Sequence, residues 1–235
     1  MPAAMLRTFR AGEFDPTRLV TEKGGQKISV CLPARDEQDT VGPIVASIRA
    51  ALMEAVPLVD EILVVDDHSS DDTAAVAARA GAKVLSADEI LPEYGRGHGK
   101  GEALWKSLYA SQGDLIVWCD ADVRDFDPAF VIGLIGPLLA RPDLVFVKGF
   151  YERPDDTGRD RGGRVTELVA RPIVSLLFPH LAAVVQPLAG EYAGRREALE
   201  RLPFVEGYGV DLGLVIDVAA RFGLDAMAQV DLGRR

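Results

Sequence analysis

Short apolar segments alternate, along the first half of the chain, with longer segments in which apolar residues recur every three or four positions. The short segments have the length and composition of buried strands, and they cover residues 28–33, 60–67, 83–85 and 115–119. The periodic segments have helical spacing, and they cover residues 40–56, 73–80 and 101–111. Strands that alternate with helices predict a parallel sheet with right-handed crossovers.

Beyond residue 122 the pattern is less regular. Helices are predicted over residues 130–139, 165–177 (broken or kinked at Pro172) and 212–222, and strands over residues 144–148 and 225–232. Residues 1–27 mix charged side chains with Gly24 and Gly25 and show no sustained period. We interpret them as an N-terminal arm that is available for oligomer contacts.

Composition excludes several classes of protein. The 235 residues are 48% apolar, which is enough for the core of one domain. The formal charge of -10 argues against nucleic-acid binding, because domains of that kind carry a basic face. No apolar segment is long enough to span a bilayer, so no membrane association is expected. Cys31 and Cys119 lie in apolar strand-like segments, which predicts buried, reduced thiols and a cytoplasmic location.

Two carboxylates, Asp120 and Asp122, follow the fourth predicted strand directly. Ligands of open α/β sheets bind beyond the carboxyl ends of strands, and a continuing extended backbone would direct both side chains to one side. Such a pair can hold Mg²⁺ or Mn²⁺ together with substrate phosphates, and Ala121 leaves room for a ligand. The alternative is a solvated pair of aspartates in the turn after a buried strand.

Acidic side chains also follow the first two predicted strands. Asp36 or Glu37 could accept hydrogen bonds from a base or a ribose, unless they form only the charge cluster that precedes a helix. Asp67 could act in the same way after the second strand. Ser70 or Asp71 is better suited to cap the helix that follows.

Residues 95–101 form a glycine-rich loop, Gly-Arg-Gly-His-Gly-Lys-Gly. Glycines let backbone amides approach a phosphate, Lys100 adds a positive charge, and His98 could also contact phosphate. The spacing before Lys100 is one residue short of a Walker A motif, and Gly101 replaces the magnesium-binding Ser or Thr. The loop also lacks the position of a Rossmann fingerprint, so NAD is not expected. A flexible surface loop is the alternative.

The second half of the chain offers further candidates. Arg164 could bind an anionic acceptor, because a guanidinium matches the geometry of carboxylate and phosphate oxygens. An exposed arginine at a helix N-terminus is an equal alternative. Glu191 and Asp211 could hold sugar hydroxyls or serve in caps and turns. His68 and His180 are interpreted as structural.

In this order, the segments resemble those of the GT-A nucleotide-diphosphosugar transferases. More narrowly, they are similar to the glucosyl-3-phosphoglycerate and mannosyl-3-phosphoglycerate synthases of glycosyltransferase family 81. The resemblance runs from about Ile28 to the C-terminus, and its most specific motif is Gly-Gly-Arg-Val-Thr-Glu-Leu-Val-Ala-Arg-Pro at residues 162–172. The other motifs are Leu-Pro-Ala-x-x-Glu at 32–37, Gly-Lys-Gly-Glu-Ala-Leu-Trp at 99–105, Asp-x-Asp at 120–122, Gln-Pro-Leu-x-Gly-Glu-Tyr at 186–192 and Gly-Tyr-Gly-Val at 207–210.

The resemblance implies a GT-A (Rossmann-like) α/β fold, in which a mostly parallel twisted sheet is flanked by helices and a C-terminal part binds the acceptor. Residues 28–122 would form the nucleotide-sugar-binding half of the domain, and residues 123–235 the acceptor-binding half. The implied reaction is a retaining transfer of glucose or mannose, from a UDP- or GDP-linked donor, to the 2-hydroxyl of 3-phosphoglycerate. A divalent metal, Mg²⁺ or Mn²⁺, and a homodimer are also implied.

The resemblance also assigns roles to individual residues. The donor-binding residues would be Pro33, Ala34, Glu37, Asp67, Lys100, Asp120, Ala121, Leu188 and Gly190. The acceptor-binding residues would be Gly163, Arg164, Val165 and Thr166. Asp122 would bind the metal, together with a histidine beyond position 235, and the catalytic residues would be Asp120, Asp211 and Lys100.

Three positions depart from the glucosyl enzymes of this family. Ala121 and Ala189 stand where those enzymes carry Ser, and Asp211 stands where they carry Glu. Because these positions lie near the sugar, the choices between glucose and mannose and between UDP and GDP stay open. Two other classes of protein use similar features, namely sugar-phosphate nucleotidyltransferases and non-catalytic nucleotide-sugar-binding modules.

Overall fold

A computed structural model describes residues 6–152 and 163–234 of the chain. The strands in chain order are β1 (Arg7–Arg10), β2 (Ile28–Ala34), β3 (Glu61–Asp66), β4 (Lys83–Ser86), β5 (Leu115–Trp118), β6 (Phe146–Glu152), β7 (Tyr192–Arg195) and β8 (Met227–Arg234). They form one sheet of eight strands in the order β1-β8-β6-β7-β5-β2-β3-β4.

Helices cover both faces of this sheet. In the described ranges they are α1 (Pro16–Lys23), α2 (Val41–Arg49), α3 (Thr73–Ala80), α4 (Lys100–Ala110), α5 (Ala129–Ala140), α6 (Arg171–Leu177), α7 (Arg196–Leu199) and α8 (Val210–Phe222). Two π-helical segments adjoin them, Ala50–Ala55 after α2 and Thr166–Ala170 before α6. Within the residues described, no helix has both the length and the apolarity needed to cross a lipid bilayer.

Strands β2 to β5 form the parallel half of the sheet. β2 pairs with β3 and β5, and β3 pairs with β4, all in parallel. Successive side chains enter different cores, since Val117 packs in the layer that contains α2 and α5, whereas Trp118 packs in the layer that contains α4 and α8. Burial on both faces explains why β2, β3 and β5 consist largely of apolar residues. The predicted fold, a mostly parallel sheet flanked by helices, is confirmed.

Strand β7 runs antiparallel between β5 and β6, which the sequence pattern does not predict. It has only four residues, Tyr-Ala-Gly-Arg, so it shows no apolar alternation that could identify it. Its first residue, Tyr192, lies opposite Trp118 at the end of β5. The chain just before β7 therefore reaches the carboxyl edge of the parallel strands.

Residues 6–27, the described part of the segment before Ile28, belong to the fold. Their interpretation as an N-terminal arm was wrong. β1 pairs in parallel with β8, and Phe9 lies opposite Val230. α1 begins after Asp15, whose carboxylate accepts hydrogen bonds from the backbone N–H groups of Thr17 and Arg18. β1 is a four-residue edge strand in which every side chain is at least partly exposed, so its apolar pattern is weak.

Near Pro172 the predicted helix changes its hydrogen-bonding pattern without a break in the helical backbone, since Ala170 and Arg171 both have right-handed helical angles. The π-helical segment Thr166–Ala170 gives way to α6 at Arg171, and Pro172 occupies the first turn of α6. Pro172 has no N–H to donate to the preceding turn, and the helix changes next to it from π-helical to α-helical hydrogen bonding.

Candidate active site

A cavity of about 310 Å³ lies where the carboxyl ends of β2, β3 and β5 meet. Ten residues predicted to bind the donor or the metal or to act in catalysis line it: Pro33, Ala34, Glu37, Asp67, Lys100, Asp120, Ala121, Asp122, Leu188 and Asp211. Its other lining residues are Arg35, Gly99, Ala103 and Tyr208. A second cavity, of about 650 Å³, shares Glu37 and Asp122 with the first. Sequence reasoning therefore located most of one concave site.

Asp120 and Asp122 reach this cavity although the strand does not extend to them. β5 ends at Trp118, and residues 121–122 form a turn, so the extended backbone considered in the sequence analysis does not continue through the motif. Ala121 is buried between the two aspartates, whereas Asp120 is partly buried and Asp122 is exposed. The buried alanine fixes the turn against the core and leaves both carboxylates at the cavity.

Lys100 joins two carboxylates from distant parts of the chain. Its Nζ lies 2.8 Å from Oδ1 of Asp120 and 3.0 Å from Oδ1 of Asp211. Asp211 also accepts a hydrogen bond of 3.1 Å from the hydroxyl of Tyr192. Lys100 is the first residue of α4, Asp120 follows β5 and Asp211 lies in the first turn of α8. Lys100, Asp120 and Asp211 form an ion triad, which fixes these three elements around the cavity.

The protonation state of Lys100 follows from these contacts. Burial alone would lower the pKa of Lys100, but the charges and hydrogen bonds of Asp120 and Asp211 outweigh it and hold the pKa above its ordinary value. Lys100 is therefore an ammonium group in the neutral pH range. Together with the N-terminal end of α4, it makes this side of the cavity suitable for an anion.

A layer beneath the cavity supports the triad. Gly190 packs so closely on Asp120 that a Cβ atom in its place would lie 2.1 Å from the carboxylate oxygens. Gly190 thus leaves room for the side chain of Asp120, although it does not itself line the cavity. The buried Lys148 of β6 donates a hydrogen bond to the carbonyl of Ala189 and lies over the ring of Tyr192, 4.4 Å from its centroid. These contacts hold the chain before β7 under Asp120.

Sequence reasoning missed Lys148 and Tyr192. Burial, partly opposed by the charge of Asp211, lowers the pKa of Lys148 to about 8. Burial, and then the nearby Asp211, raises the pKa of Tyr192 well above its ordinary value, so its hydroxyl remains a donor. The available signal was a lysine within an apolar strand segment, because a lysine is rarely buried unless it is partnered.

The opposite end of the cavity contains Asp67 and Glu37. Asp67 is buried, and its Oδ2 accepts a hydrogen bond of 2.9 Å from the backbone N–H of Gly99 in the glycine-rich loop. The backbone N–H of Glu37 donates to Oγ1 of Thr73. Burial raises the pKa of Glu37, and the nearby carboxylates of Asp122, Asp71 and Asp120 add to that effect.

The four predicted acceptor-binding residues lie elsewhere. They precede or begin the helical segment before α6, where Arg164 and Val165 are exposed and Thr166 is buried. None of the four is among the described residues that line the cavity. Gly162, the first residue of this motif, lies outside the described residues. Their role in acceptor binding stays a prediction.

The remaining candidates, Glu191 and the three histidines, lie outside the lining of the cavity. Glu191 is fully buried and does not line the cavity, so the structure does not support contact with a sugar hydroxyl. His98 is exposed on the glycine-rich loop, with its ring centroid 4.8 Å from that of His68. His68 contacts the carboxylates of Asp67 and Asp88, and His180 is exposed.

Comparisons with known proteins agree with this geometry. The family model described as "Glycosyl transferase family 2" matches residues 29–202. The glucosyl-3-phosphoglycerate synthase of Petrotoga mobilis is 49% identical over 239 residues, covering 97% of this chain and 73% of that protein. The glucosyl-3-phosphoglycerate synthase of Mycolicibacterium smegmatis is 50% identical over 224 residues, covering 92% of this chain and 72% of that protein.

Solved structures give the same result. The crystal structure of mannosyl-3-phosphoglycerate synthase from Rubrobacter xylanophilus matches with a TM-score of 0.92 at 49% identity, covering 97% of this chain and 73% of that chain. Glucosyl-3-phosphoglycerate synthase from Mycobacterium tuberculosis, in complex with Mn²⁺, UDP and phosphoglyceric acid, matches with a TM-score of 0.89 at 47% identity. The match covers 98% of this chain and 77% of that chain. The predicted resemblance is confirmed, and the chain belongs to glycosyl transferase family 2, in the group that contains the glucosyl-3-phosphoglycerate and mannosyl-3-phosphoglycerate synthases.

Proposed function

We propose that this glycosyltransferase moves a hexose, glucose or mannose, from a nucleoside-diphosphate sugar to the 2-hydroxyl of 3-phosphoglycerate with retention of anomeric configuration. The observation that carries the proposal is the cluster of Lys100, Asp120 and Asp122 in one cavity at the carboxyl ends of parallel strands. Two relatives at 49% and 50% identity carry the name of glucosyl-3-phosphoglycerate synthase. A solved relative holds UDP and phosphoglyceric acid together.

In this proposal the donor extends across the cavity from β3 to α8. Pro33, Ala34, Glu37 and Asp67 contact the nucleoside, and Lys100 and Asp120 contact the diphosphate and the sugar. Residues 28–122 supply most of this surface. Residues 123–235 supply the acceptor side and also reach the hexose through the chain before β7 and the start of α8. The positions of Leu188 and Asp211 in the cavity lining support that division.

The residues present fit a hard divalent cation. Asp122 is an exposed carboxylate that belongs to both adjoining cavities, and oxygen ligands are those that Mg²⁺ and Mn²⁺ prefer. Solved relatives contain Mn²⁺ or Mg²⁺ with UDP. When bound at Asp122, the ion would offset the negative charge of the departing diphosphate.

The ion triad bears on the chemical route. The ammonium of Lys100 stabilises the charge that develops on the departing phosphate oxygen. Asp120 and Asp211 are both held by Lys100, which makes either carboxylate a weak nucleophile. We therefore infer a front-face substitution. The acceptor oxygen bonds to the anomeric carbon as the bond to phosphate breaks, and the hydroxyl proton passes to the departing phosphate oxygen.

We further propose a cytoplasmic protein that binds neither nucleic acid nor membrane. The formal charge of -10 supports the first exclusion, and the absence of a spanning helix among the described residues is consistent with the second. Cys31 and Cys119 are buried and form no disulfide, and burial raises the pKa of Cys31 to about 12. Two buried thiols outside any disulfide suit a reducing compartment.

A homodimer completes the proposal. The described helical residues before and within α6 expose an apolar face, formed by Val165, Leu168, Val169, Ile173, Leu176 and Leu177. They fall at positions 165, 168–169, 173 and 176–177, about one helical turn apart, so they lie along one side of the helix. A second copy of the chain would bury this face by the same contacts in both directions.

Product analysis tests the reaction. The protein is incubated with Mg²⁺, 3-phosphoglycerate and, in turn, UDP-glucose, GDP-glucose, UDP-mannose and GDP-mannose. At least one donor should yield hexosyl-3-phosphoglycerate by mass spectrometry, with an α-linkage to the 2-hydroxyl by NMR. Pyrophosphate release from a nucleoside triphosphate and a hexose phosphate would instead indicate a nucleotidyltransferase. Donor binding without any product would indicate a binding module.

The metal role is tested at Asp122. Asp122→Asn should lower kcat at least about a hundredfold, because the ion supplies several kcal/mol and about 1.4 kcal/mol corresponds to tenfold. Asp125→Asn, an exposed aspartate outside both cavities, is the matched control and should keep wild-type activity. Full turnover by Asp122→Asn, or by the wild type in excess EDTA, would refute metal dependence.

The acceptor role is tested at Arg164. Arg164→Ala should raise the KM for 3-phosphoglycerate about ten- to hundredfold, because a hydrogen bond to a charged group contributes about 1.5–3 kcal/mol. The donor KM should change little. Arg171→Ala is the matched control, since Arg171 is exposed nearby and pairs with Glu167 at 3.2 Å. Equal effects on both KM values, or none, would count against acceptor binding by Arg164.

The dimer is tested by light scattering after size exclusion. The wild type should have the mass of two chains, and Leu168→Glu should shift the protein to monomer because it places a charge in the apolar face. Tyr109→Glu, at a half-exposed aromatic on α4, is the control and should remain dimeric. A monomeric wild type, or a dimeric Leu168→Glu, would contradict this interface.

A further inference from the structure

Two histidines and an aspartate converge at the end of the cavity away from the ion triad. His68 lies between β3 and α3, and His98 lies in the glycine-rich loop before α4. One ligand atom from each of Asp67, His68 and His98 can be chosen so that all three lie within 4.8 Å of one another. These residues are separate from Asp120 and Asp122, and the proposed reaction gives the histidines no task.

The donor types in this cluster differ from those at Asp122. Imidazole nitrogens suit Zn²⁺ and its neighbours in the transition series, whereas Mg²⁺ prefers oxygen ligands and retains much of its water. Two imidazoles and one carboxylate form a set of three protein ligands, which leaves a fourth tetrahedral position of Zn²⁺ open. The cluster therefore favours a borderline metal over a hard one.

The distances are close to those of a metal site. Nδ1 of His68 lies 2.9 Å from Oδ1 of Asp67, and two ligands of one tetrahedral Zn²⁺ lie about 3.3 Å apart at Zn–N and Zn–O lengths of about 2.0–2.1 Å. A metal ion could thus replace the shared proton after a shift of a few tenths of an ångström. Oδ2 of Asp67 remains bound to Gly99, so the carboxylate keeps its orientation.

A carboxylate also contacts the ring nitrogen of His68 that faces away from Asp67. A histidine that binds metal usually donates its other ring N–H to a carboxylate or a carbonyl, which fixes the ring. Nε2 of His68 lies 3.1 Å from Oδ1 of Asp88, so this partner is in place. His98 is exposed between Gly97 and Gly99, which leaves its ring able to turn toward the other two ligands.

The nearby cations do not preclude a metal. Arg35 lies 4.0 Å from Asp67 and Arg96 lies 3.5 Å from Asp88, but the two arginine side chains are 59% and 78% exposed. Water screens charges at such positions strongly. The carboxylates of Asp67 and Asp88 are less than one-third exposed, so the negative charge lies closer to the cluster.

We propose that Asp67, His68 and His98 form a binding site for one borderline transition-metal ion, represented by Zn²⁺, with Asp88 orienting His68. Because Asp67 also lines the main cavity, occupation of this site removes a carboxylate from the nucleoside end. Bound Zn²⁺ therefore weakens binding of the nucleoside diphosphate. This second statement rests on the proposed function, whereas the metal site itself does not.

The site is tested by calorimetric titration of the full chain with Zn²⁺ alone, without substrates. The pKa of His68 is raised by its hydrogen bonds with Asp67 and Asp88, so the titration is run at about pH 8, where the ring can release its proton. The wild type should bind one equivalent. With Co²⁺ in place of Zn²⁺, it should show visible absorption bands typical of nitrogen ligation in a four-coordinate site.

Variants identify the ligands. His98→Ala, an exposed substitution, and His68→Asn should each lower Zn²⁺ affinity at least about tenfold, since even outer partners of a metal contribute that much. His180→Ala, at an exposed histidine elsewhere, is the matched control, and Asp122→Asn excludes binding at the hard-cation site. Both should bind Zn²⁺ as the wild type does. Unchanged affinity in His98→Ala, or no binding by the wild type, would overturn the proposal.

Competition tests the second statement. At one Zn²⁺ concentration, well above the Zn²⁺ Kd of the wild type, the Kd of UDP or GDP should rise at least about tenfold in the wild type and clearly less in His98→Ala. An unchanged Kd in the wild type would refute the antagonism. Failure of both nucleotides to bind without Zn²⁺ would count against the proposed function, while the Zn²⁺ titration would still decide the metal site.

Discussion

The architecture of the site depends on one buried cation held by two carboxylates. Lys100 and Asp211 are 11% and 6% exposed, and an unpaired charge at such depth would be strongly destabilising. Pairing requires that α4, the end of β5 and the start of α8 keep fixed positions. Five carboxylates against two cations line the described cavity, so a diphosphate meets net repulsion there. A divalent ion at Asp122, as proposed, would relieve that repulsion, which is a physical reason for metal dependence.

The antiparallel strand β7 makes this arrangement possible. Its register sets Tyr192 beside Trp118, so the chain that precedes it passes beneath Asp120. Lys148 then fixes that chain by bonding the carbonyl of Ala189. A purely parallel order would leave the second half of the chain remote from the strand ends. The inserted strand explains why Leu188, from the second half of the chain, lines the cavity at the ends of the parallel strands.

Sequence reasoning succeeded where a single local pattern carries the information. Apolar segments identified β2, β3 and β5 because helices bury both of their faces, and polar residues just beyond them identified Glu37 and Asp67. It failed for β1 (Arg-Thr-Phe-Arg) and β7 (Tyr-Ala-Gly-Arg), since neither presents a continuous apolar segment. Tyr192 was also beyond its reach, because only the three-dimensional pairing with Asp211 gives that tyrosine a role. For Arg164 the local pattern left an exposed arginine as an equal alternative to acceptor binding, and only the resemblance favoured acceptor binding.

Ligand chemistry separates the two cation environments at this edge of the sheet. Zn²⁺ binds most nitrogen and oxygen sites more tightly than Mg²⁺ does, so carboxylates alone do not protect a magnesium enzyme from zinc. At Asp122 the proposed cation also contacts the donor's phosphates, which favours a small ion that retains water. At His68 and His98 imidazoles favour Zn²⁺, and Asp67 connects this cluster to the same cavity. In the proposed arrangement Asp67 would couple the borderline-metal site to the nucleoside end of the cavity, while the hard cation at Asp122 would lie near the diphosphate.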